Sequence, residues 1–273
     1  EYLCRSGMTV ALMSIAFHMD RGRPTWSRIR SMKPLEEKRK TSSRKPKSVS
    51  FINAALSERI DRCPQRFVTS AYQTMDDVTA FVKEVRLGSY EPQISRYTTV
   101  HLFGYSIGCS IAQALSISQG KLLGSSSRSV YFCGGSALTD ARPVSPYILD
   151  AEAFAKLENC LRSLGRGGRE GLPSALLEKP GINALRMLCT REDMKASRMK
   201  ALGQCAERSL YVPMEGDEVF PVQRVRDFLG SLPAALEPFC PDYPHDHVRP
   251  FSNDHQARKA CSELFTRFAD WYA

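Results

Sequence analysis

Residues 98–112 constrain the fold more than any other stretch of the chain. They read TTVHLFGYSIGCSIA, a β-branched and apolar run followed by Gly-x-Ser-x-Gly and then by apolar residues at helical spacing. A strand that turns sharply into a helix is the context in which this motif presents a nucleophilic serine. We therefore predict that the turn strains Ser106, that a side chain at Gly104 or Gly108 would collide with its neighbours, and that the helix N-terminus favours negative charge at the hydroxyl. The alternative is an inert serine in a glycine-rich turn.

Composition indicates an ordinary globular protein. The chain has 273 residues, of which 42% are hydrophobic and 25% charged, enough for one α/β domain over residues 1–273. No apolar run approaches the ~20 residues that cross a bilayer, so no membrane span is expected. The nine cysteines are scattered and form no Cys-x-x-Cys pair. This pattern favours reduced, mostly buried thiols in a cytoplasmic protein over disulfides or a zinc site.

The net charge of +9 has a local origin. Residues 21–47 contain eleven lysines and arginines but only two acidic residues, Glu36 and Glu37. A basic patch can bind nucleic acid, but stacking on bases needs aromatic side chains and the segment offers only Trp26. We predict instead that residues 31–47 form a basic, flexible, solvated loop and that nucleic acid is not a partner.

The remaining pattern alternates between strands and helices, which predicts a doubly wound, mainly parallel sheet. Strands are expected where apolar, β-rich runs occur, at residues 9–17, 67–72, 129–133, 208–213 and 234–239. Helices are expected at residues 50–60, at 77–86 with Asp76 as N-cap, at 222–232, and after Asn253 or Asp254.

Candidate acids and bases follow the later strands. Asp217 comes just after the strand at 208–213, and its neighbours Glu215 and Glu218 are alternative acids. Helix capping by Asp217 is the structural alternative. The loop before the last helix contains His245 and His247 around an aspartate. A His-Asp-His run could also bind a metal, although no other clustered ligands accompany it.

The Gly-Tyr-Ser-Ile-Gly turn, the aspartate and the histidine loop together resemble the α/β-hydrolases, which include serine esterases, lipases and thioesterases. That family keeps the order Ser, Asp or Glu, His along the chain. The resemblance implies Ser106 as nucleophile, Asp217 as acid and His247 as base. His245 remains the alternative base and His255 a third. We prefer His247 because it leads into Val-Arg-Pro-Phe, an apolar anchor for the loop.

The resemblance also implies an oxyanion hole and a lid. The amide of Ile107 would be one donor, and the amide of Met19, after the strand at 9–17, the second. A lid or cap is expected at residues 140–207, where the strand–helix rhythm is interrupted. Only eight residues precede the strand at 9–17, so either the chain is a fragment or its sheet lacks the family's first strands.

The function implied is hydrolysis of an ester or thioester through an acyl-enzyme, without a cofactor and on a small-molecule acyl substrate. The alternatives are an acyltransferase that uses the same site and a non-catalytic, hydrolase-like binding module. Around Trp26, residues 51–57 and the Asp217 turn, the chain is also similar to poorly characterised bacterial α/β-hydrolases. The sequence predicts neither the acyl chain length nor the oligomeric state.

Overall fold

The structure, a computed structural model, describes residues 1–18, 21–42, 50–169 and 171–273. Its centre is a four-stranded sheet in which every pairing is parallel and the strands follow one another in chain order. The strands are β1 (Leu102–Tyr105), β2 (Ser129–Phe132), β3 (Ser209–Val212) and β4 (Ala235–Leu236). The prediction of an α/β fold with a parallel sheet is thus confirmed.

Helices make up most of the rest. Ahead of the sheet lie α1 (Tyr2–Arg5), α2 (Ile29–Ser42), α3 (Phe51–Arg62) and α4 (Gln65–Leu87). Between the strands lie α5 (Ile107–Ser118), α6 (Gly120–Leu123), α7 (Ala151–Gly165), α8 (Ser174–Leu177), α9 (Pro180–Cys189), α10 (Lys195–Gly203) and α11 (Val222–Leu229). The chain ends in α12 (His255–Tyr272).

The two faces of the sheet bury two separate apolar cores. Tyr131 and Tyr211 point into the larger core, which contains side chains of α4, α5, α7, α9 and α11. Val130 and Phe132, on the other face, pack with Phe268 of α12. Successive residues of a strand point to opposite faces of the sheet. Tyr131 and its register partner Tyr211 therefore share one face, and the neighbouring residues Val130 and Phe132 lie on the other. Burial on both faces also explains why the last three residues of both β2 and β3 are apolar or aromatic, after a buried serine at the start of each strand.

Residues 67–72 were expected to form a strand, and this prediction is wrong. They lie in the long helix α4, which begins at Gln65. Its buried apolar residues are Val68, Ala71, Met75, Val82 and Val85. Their spacing of three to four residues over the longer stretch is that of a helix. Asp76 consequently lies inside the helix and does not cap it.

The strand expected at residues 9–17 is also absent. The segment is irregular, and Leu12 is 94% exposed. Ala16 is buried against α4, where its amide donates to Thr74 and its carbonyl accepts from the hydroxyl of Ser70. Side chains of a helix thus take the place of a neighbouring strand. An apolar run reports a tendency to be buried, but it does not supply the strand partner that a sheet requires.

The basic segment is more ordered than expected where the structure describes it. Residues 31–42 belong to α2, so the predicted loop is wrong for this part, whereas residues 43–49 lie outside the described residues. Arg39 is only 2% exposed and forms a bidentate ion pair with Asp150. That pair attaches α2 to the beginning of α7.

The second half of the chain follows the predictions more closely. The strands at 129–133 and 208–213 are confirmed, while the last strand is shorter than expected, with two residues and one further bridge between Met214 and Phe239. Asp254 caps α12 by accepting from the amide of Ala257. Residues 140–207, the predicted lid, contain α7 to α10, and α9 packs against α5.

Two further expectations concern membranes and thiols. No helix in the described part of the chain is both long and apolar enough to cross a membrane. All nine cysteines are free; four are buried, three are partly buried, and Cys4 and Cys240 are exposed. The thiols are therefore less uniformly buried than predicted.

Candidate active site

Ser106 occupies the sharp turn between β1 and α5. Its φ of 55° and ψ of −124° place it in a strained region for a residue with a side chain. The amide of Ser106 donates to Phe132 at the end of β2, and its carbonyl accepts from Cys109 in the first turn of α5. These two bonds hold the backbone strain in place, and they leave the half-buried hydroxyl at the carboxyl edge of the sheet.

The glycines of the motif have unequal roles. A Cβ at Gly104 would lie 2.7 Å from the backbone nitrogen of Cys109, so strand and helix approach too closely for any side chain. At Gly108 an added Cβ meets nothing within 4 Å, so the predicted collision there is wrong. Gly134 is a close contact that the sequence analysis missed, because a Cβ there would lie 2.7 Å from the carbonyl oxygen of Ser106.

The structure brings Ser106, His247 and Asp217 into one hydrogen-bonded line. Oγ of Ser106 lies 2.6 Å from Nε2 of His247, and Nδ1 of His247 lies 2.7 Å from Oδ2 of Asp217. An ionised carboxylate can only accept, so Nδ1 carries the proton and Nε2 is left to accept from the serine hydroxyl. This is the tautomer in which a histidine can act as a general base toward a serine.

Asp217 is aligned by its own turn. Its amide donates to Met214, two residues past the end of β3, and Gly216 takes a φ of 77° that favours glycine. Oδ1 accepts from the amides of Val219 and Phe220 at 2.8 and 3.0 Å, which leaves Oδ2 for the histidine. The alternative acids Glu215 and Glu218 are exposed, whereas the side chain of Asp217 is fully buried.

His245 points away from this line. Its Nε2 lies 2.8 Å from the carbonyl oxygen of Glu215, and its Nδ1 lies 2.8 Å from that of Tyr243. The side chain of His245 thus connects the turn that carries Asp217 to the loop that carries His247, and it does not face Ser106. His255, the third candidate, is exposed at the first turn of α12.

The structure describes one of the two predicted oxyanion-hole donors. Ile107 and Gly108 begin α5, and amides in the first turn of a helix have no partner within that helix. They lie directly after Ser106, at a helix N-terminus that favours a negative oxygen. Met19, the other predicted donor, lies outside the described residues. His18, which precedes it, is partly buried, and burial together with the charge of Arg59 lowers the pKa of His18.

The groups around the histidine stay neutral. Burial, reinforced by the negative charge of Asp217, raises the pKa of the Cys133 thiol, so this cysteine does not compete as a nucleophile. Burial likewise raises the pKa of Tyr105. The ring centroid of Phe220 lies 5.7 Å from that of His247. The side chains of His247 and Asp217 are only 5% and 0% exposed, so water has little access to the bond between them, and a low local dielectric strengthens that bond.

No group of three or more histidine, cysteine or acidic side chains is placed to hold a metal ion within residues 1–18, 21–42, 50–169 and 171–273. The two ring nitrogens of His247 already contact Ser106 and Asp217. The chemistry that the geometry allows is proton transfer from a serine hydroxyl to an imidazole beside a buried carboxylate.

Two neighbours of the site were not predicted from sequence. Tyr105 and Phe220 both lie beside the His247 ring. Tyr105 stands next to the nucleophile in sequence and Phe220 follows the acid turn, so nearness to the predicted site residues was the available signal. What the sequence could not show is that both side chains turn toward the same imidazole.

The protein thus combines an α/β fold with a site in which hydrogen bonds join a serine to a histidine and the histidine to an aspartate. Residues 1–272 match the model of a family described as a family of unknown function, DUF6051, and the chain belongs to that family. No curated protein and no solved structure matches the chain.

Proposed function

We propose that this protein is a serine hydrolase that cleaves an ester or thioester through an acyl-enzyme. The observation that carries the proposal is the hydrogen-bonded line from Ser106 through His247 to Asp217, with the serine in a strained turn at a helix N-terminus. Backbone strain at the serine, a histidine hydrogen-bonded to its hydroxyl and a buried carboxylate behind that histidine are features that activate a serine as a nucleophile. The resemblance of the elbow and of the residue order to α/β-hydrolases supports the same function.

The first half of the reaction acylates Ser106. His247 takes the hydroxyl proton on Nε2 while Oγ bonds to the carbonyl carbon, and the carbonyl π electrons move to oxygen. The amide of Ile107 donates to that oxyanion. When the tetrahedral intermediate collapses, the bond to the alcohol or thiol breaks, and the leaving group takes the proton from Nε2.

The second half restores the enzyme. Nε2 accepts a proton from water while the water oxygen bonds to the acyl carbon. The intermediate then releases the acid, and Oγ takes the proton back. Asp217 remains ionised throughout and stabilises the imidazolium that forms twice in each cycle.

Replacement of the nucleophile tests this mechanism. Ser106→Ala removes the covalent acceptor, so hydrolysis of p-nitrophenyl esters should fall by about 10⁴ to 10⁶ and labelling by a fluorophosphonate probe should disappear. Ser110→Ala, a buried serine one turn along the same helix, is the matched control and should keep both. Ester turnover that survives in Ser106→Ala, with the parent unlabelled at Ser106, would contradict the proposal.

A further inference from the structure

Tyr105, between Gly104 and Ser106, contacts the histidine in two ways. Its hydroxyl donates a hydrogen bond to the backbone carbonyl of His247. Its ring is stacked beside the imidazole, with centroids 6.1 Å apart and planes inclined by 15°. The two residues are 142 positions apart in the chain. One side chain therefore joins the strand that carries the nucleophile to the loop that carries the base.

The loop itself fixes its local shape but not its distance from Ser106. Asp246 accepts from the amides of Val248 and Arg249 at 2.9 and 2.8 Å, which closes a tight turn around His247. These bonds all lie within four consecutive residues, so they would move with the loop if it shifted. His245 joins the loop to the turn that carries Asp217, but an anchor on the strand of Ser106 is needed to hold the main chain at a constant distance from the nucleophile.

Tyr105 is suited to be that anchor. Its ring packs against Phe132 of β2, with centroids 5.8 Å apart, so the side chain is supported by the sheet. Because burial raises the pKa of Tyr105, the phenol keeps its proton and remains a donor at the pH values where esters are hydrolysed. The acceptor belongs to a residue that is only 5% exposed, so water does not readily replace the bond.

We propose that Tyr105 is a positioning residue whose hydroxyl holds the main chain of His247, and thereby Nε2, within hydrogen-bonding distance of Ser106. Transfer of a proton between these atoms requires about 2.6 to 3.2 Å, and a displacement of about 1 Å can lower a rate about 100-fold. The effect on turnover rests on the proposed function. The effect on the placement of the His247 ring does not.

The kinetic test is Tyr105→Phe, which keeps the ring and removes only the hydroxyl. We expect kcat for p-nitrophenyl esters to fall about tenfold with KM unchanged, and fluorophosphonate labelling of Ser106 to slow by a similar factor. Tyr272→Phe is the matched control, because it removes a buried phenol that donates at 2.8 Å to Leu102 at the other end of the same strand. This control should keep the parent kinetics.

A second measurement does not depend on turnover. In Ser106→Ala, the proton between Nδ1 of His247 and Asp217 should give a low-field NMR resonance. Adding Tyr105→Phe should broaden this resonance through faster exchange with water, whereas adding Tyr272→Phe should leave it sharp.

The outcomes separate the two proposals. If the parent neither hydrolyses esters nor reacts with the probe, the hydrolase mechanism fails, and the NMR comparison alone decides the role of Tyr105. An equally sharp resonance in both double variants overturns the inference, as does parental kcat in Tyr105→Phe of an active enzyme. Equal losses in Tyr105→Phe and Tyr272→Phe also overturn it, because they would reflect general destabilisation.

Discussion

His245 and His247 are separated by one residue, yet their ring nitrogens face different groups. Those of His247 contact a hydroxyl and a carboxylate, one able to donate and the other only to accept. Those of His245 face two backbone carbonyls, which only accept. A general base needs a partner with a proton to give, and only His247 has one in this geometry. The structure therefore places His247 beside Ser106 and places His245 beside the carbonyl of Glu215.

Alanine substitutions distinguish the two histidines. His247→Ala should lose as much activity as Ser106→Ala, about 10⁴-fold or more, because both members of the proton transfer are needed. His245→Ala removes only a connection between two backbone segments and should lose less than about tenfold. Rates with p-nitrophenyl esters measure both, and His255→Ala serves as an exposed control. The assignment is wrong if His245→Ala is the inactive variant.

At the residue scale, the three candidates came from a local motif and from a family resemblance. The Gly-x-Ser-x-Gly turn indicated Ser106, and the residue order of the family that the chain resembles indicated Asp217 and His247; the structure brings the three side chains together. Tyr105 lies inside the same motif, but its bond to His247 leaves no signal in the sequence, because the partner is 142 residues away and is a backbone carbonyl, which no residue type reveals.

Helix α2 shows how the packing of a whole element can depend on one buried charge. Arg39 binds Asp150 through two bonds of 2.7 Å and lies 3.4 Å from Asp61. Burial alone would lower the pKa of Arg39, but the hydrogen bond and charge of Asp150 raise it overall. Asp150 also caps α7 by accepting from Ala153. The guanidinium is therefore part of the contact between two helices.

Removal of that guanidinium should destabilise the fold. Arg39→Met leaves Asp150 without its buried counter-ion, whereas Asp61 keeps Lys156 at 2.6 Å, and we expect a loss of about 3 to 5 kcal/mol in the free energy of unfolding. Lys40→Met removes an exposed i,i+4 pair with Glu36 in the same helix and should cost less than about 1 kcal/mol. Urea denaturation of both variants measures the difference. Equal effects would show that Arg39 does not attach α2.

Elements were predictable where the pattern extended beyond a few residues. Strands β2 and β3 are fully buried, so their apolar runs carried the information. The six residues 67–72 are compatible with either a helix or a strand, and only the continuation to Val85 reveals the helical period. The prediction of a loop was wrong for residues 31–42, because a count of charges does not show which arginine has a buried carboxylate opposite it.

At the scale of the whole molecule, ion pairs connect segments that are distant in sequence. Asp140, in the short turn after β2, lies 2.9 Å from Arg191 beyond α9 and 4.0 Å from Arg224 of α11. Its Oδ2 is buried and has no hydrogen-bond partner among the described residues. Burial raises the pKa of Asp140 even though both arginines oppose the shift. No sequence pattern predicted this cluster, because its members meet only after the strands and helices have packed.

The raised pKa makes stability depend on pH. In the unfolded chain Asp140 titrates near its ordinary pKa of about 4, and in the folded protein it titrates higher. Between the two values the folded state binds more protons, so the free energy of unfolding falls as the pH rises through this window. Asp140→Asn does not titrate. The melting temperature of the parent minus that of Asp140→Asn should therefore decrease from pH 4 to pH 7. Asp227→Asn, which removes the more exposed partner of Arg191, controls for loss of an ion pair. A difference that increases with pH would mean that the arginines outweigh burial at this site.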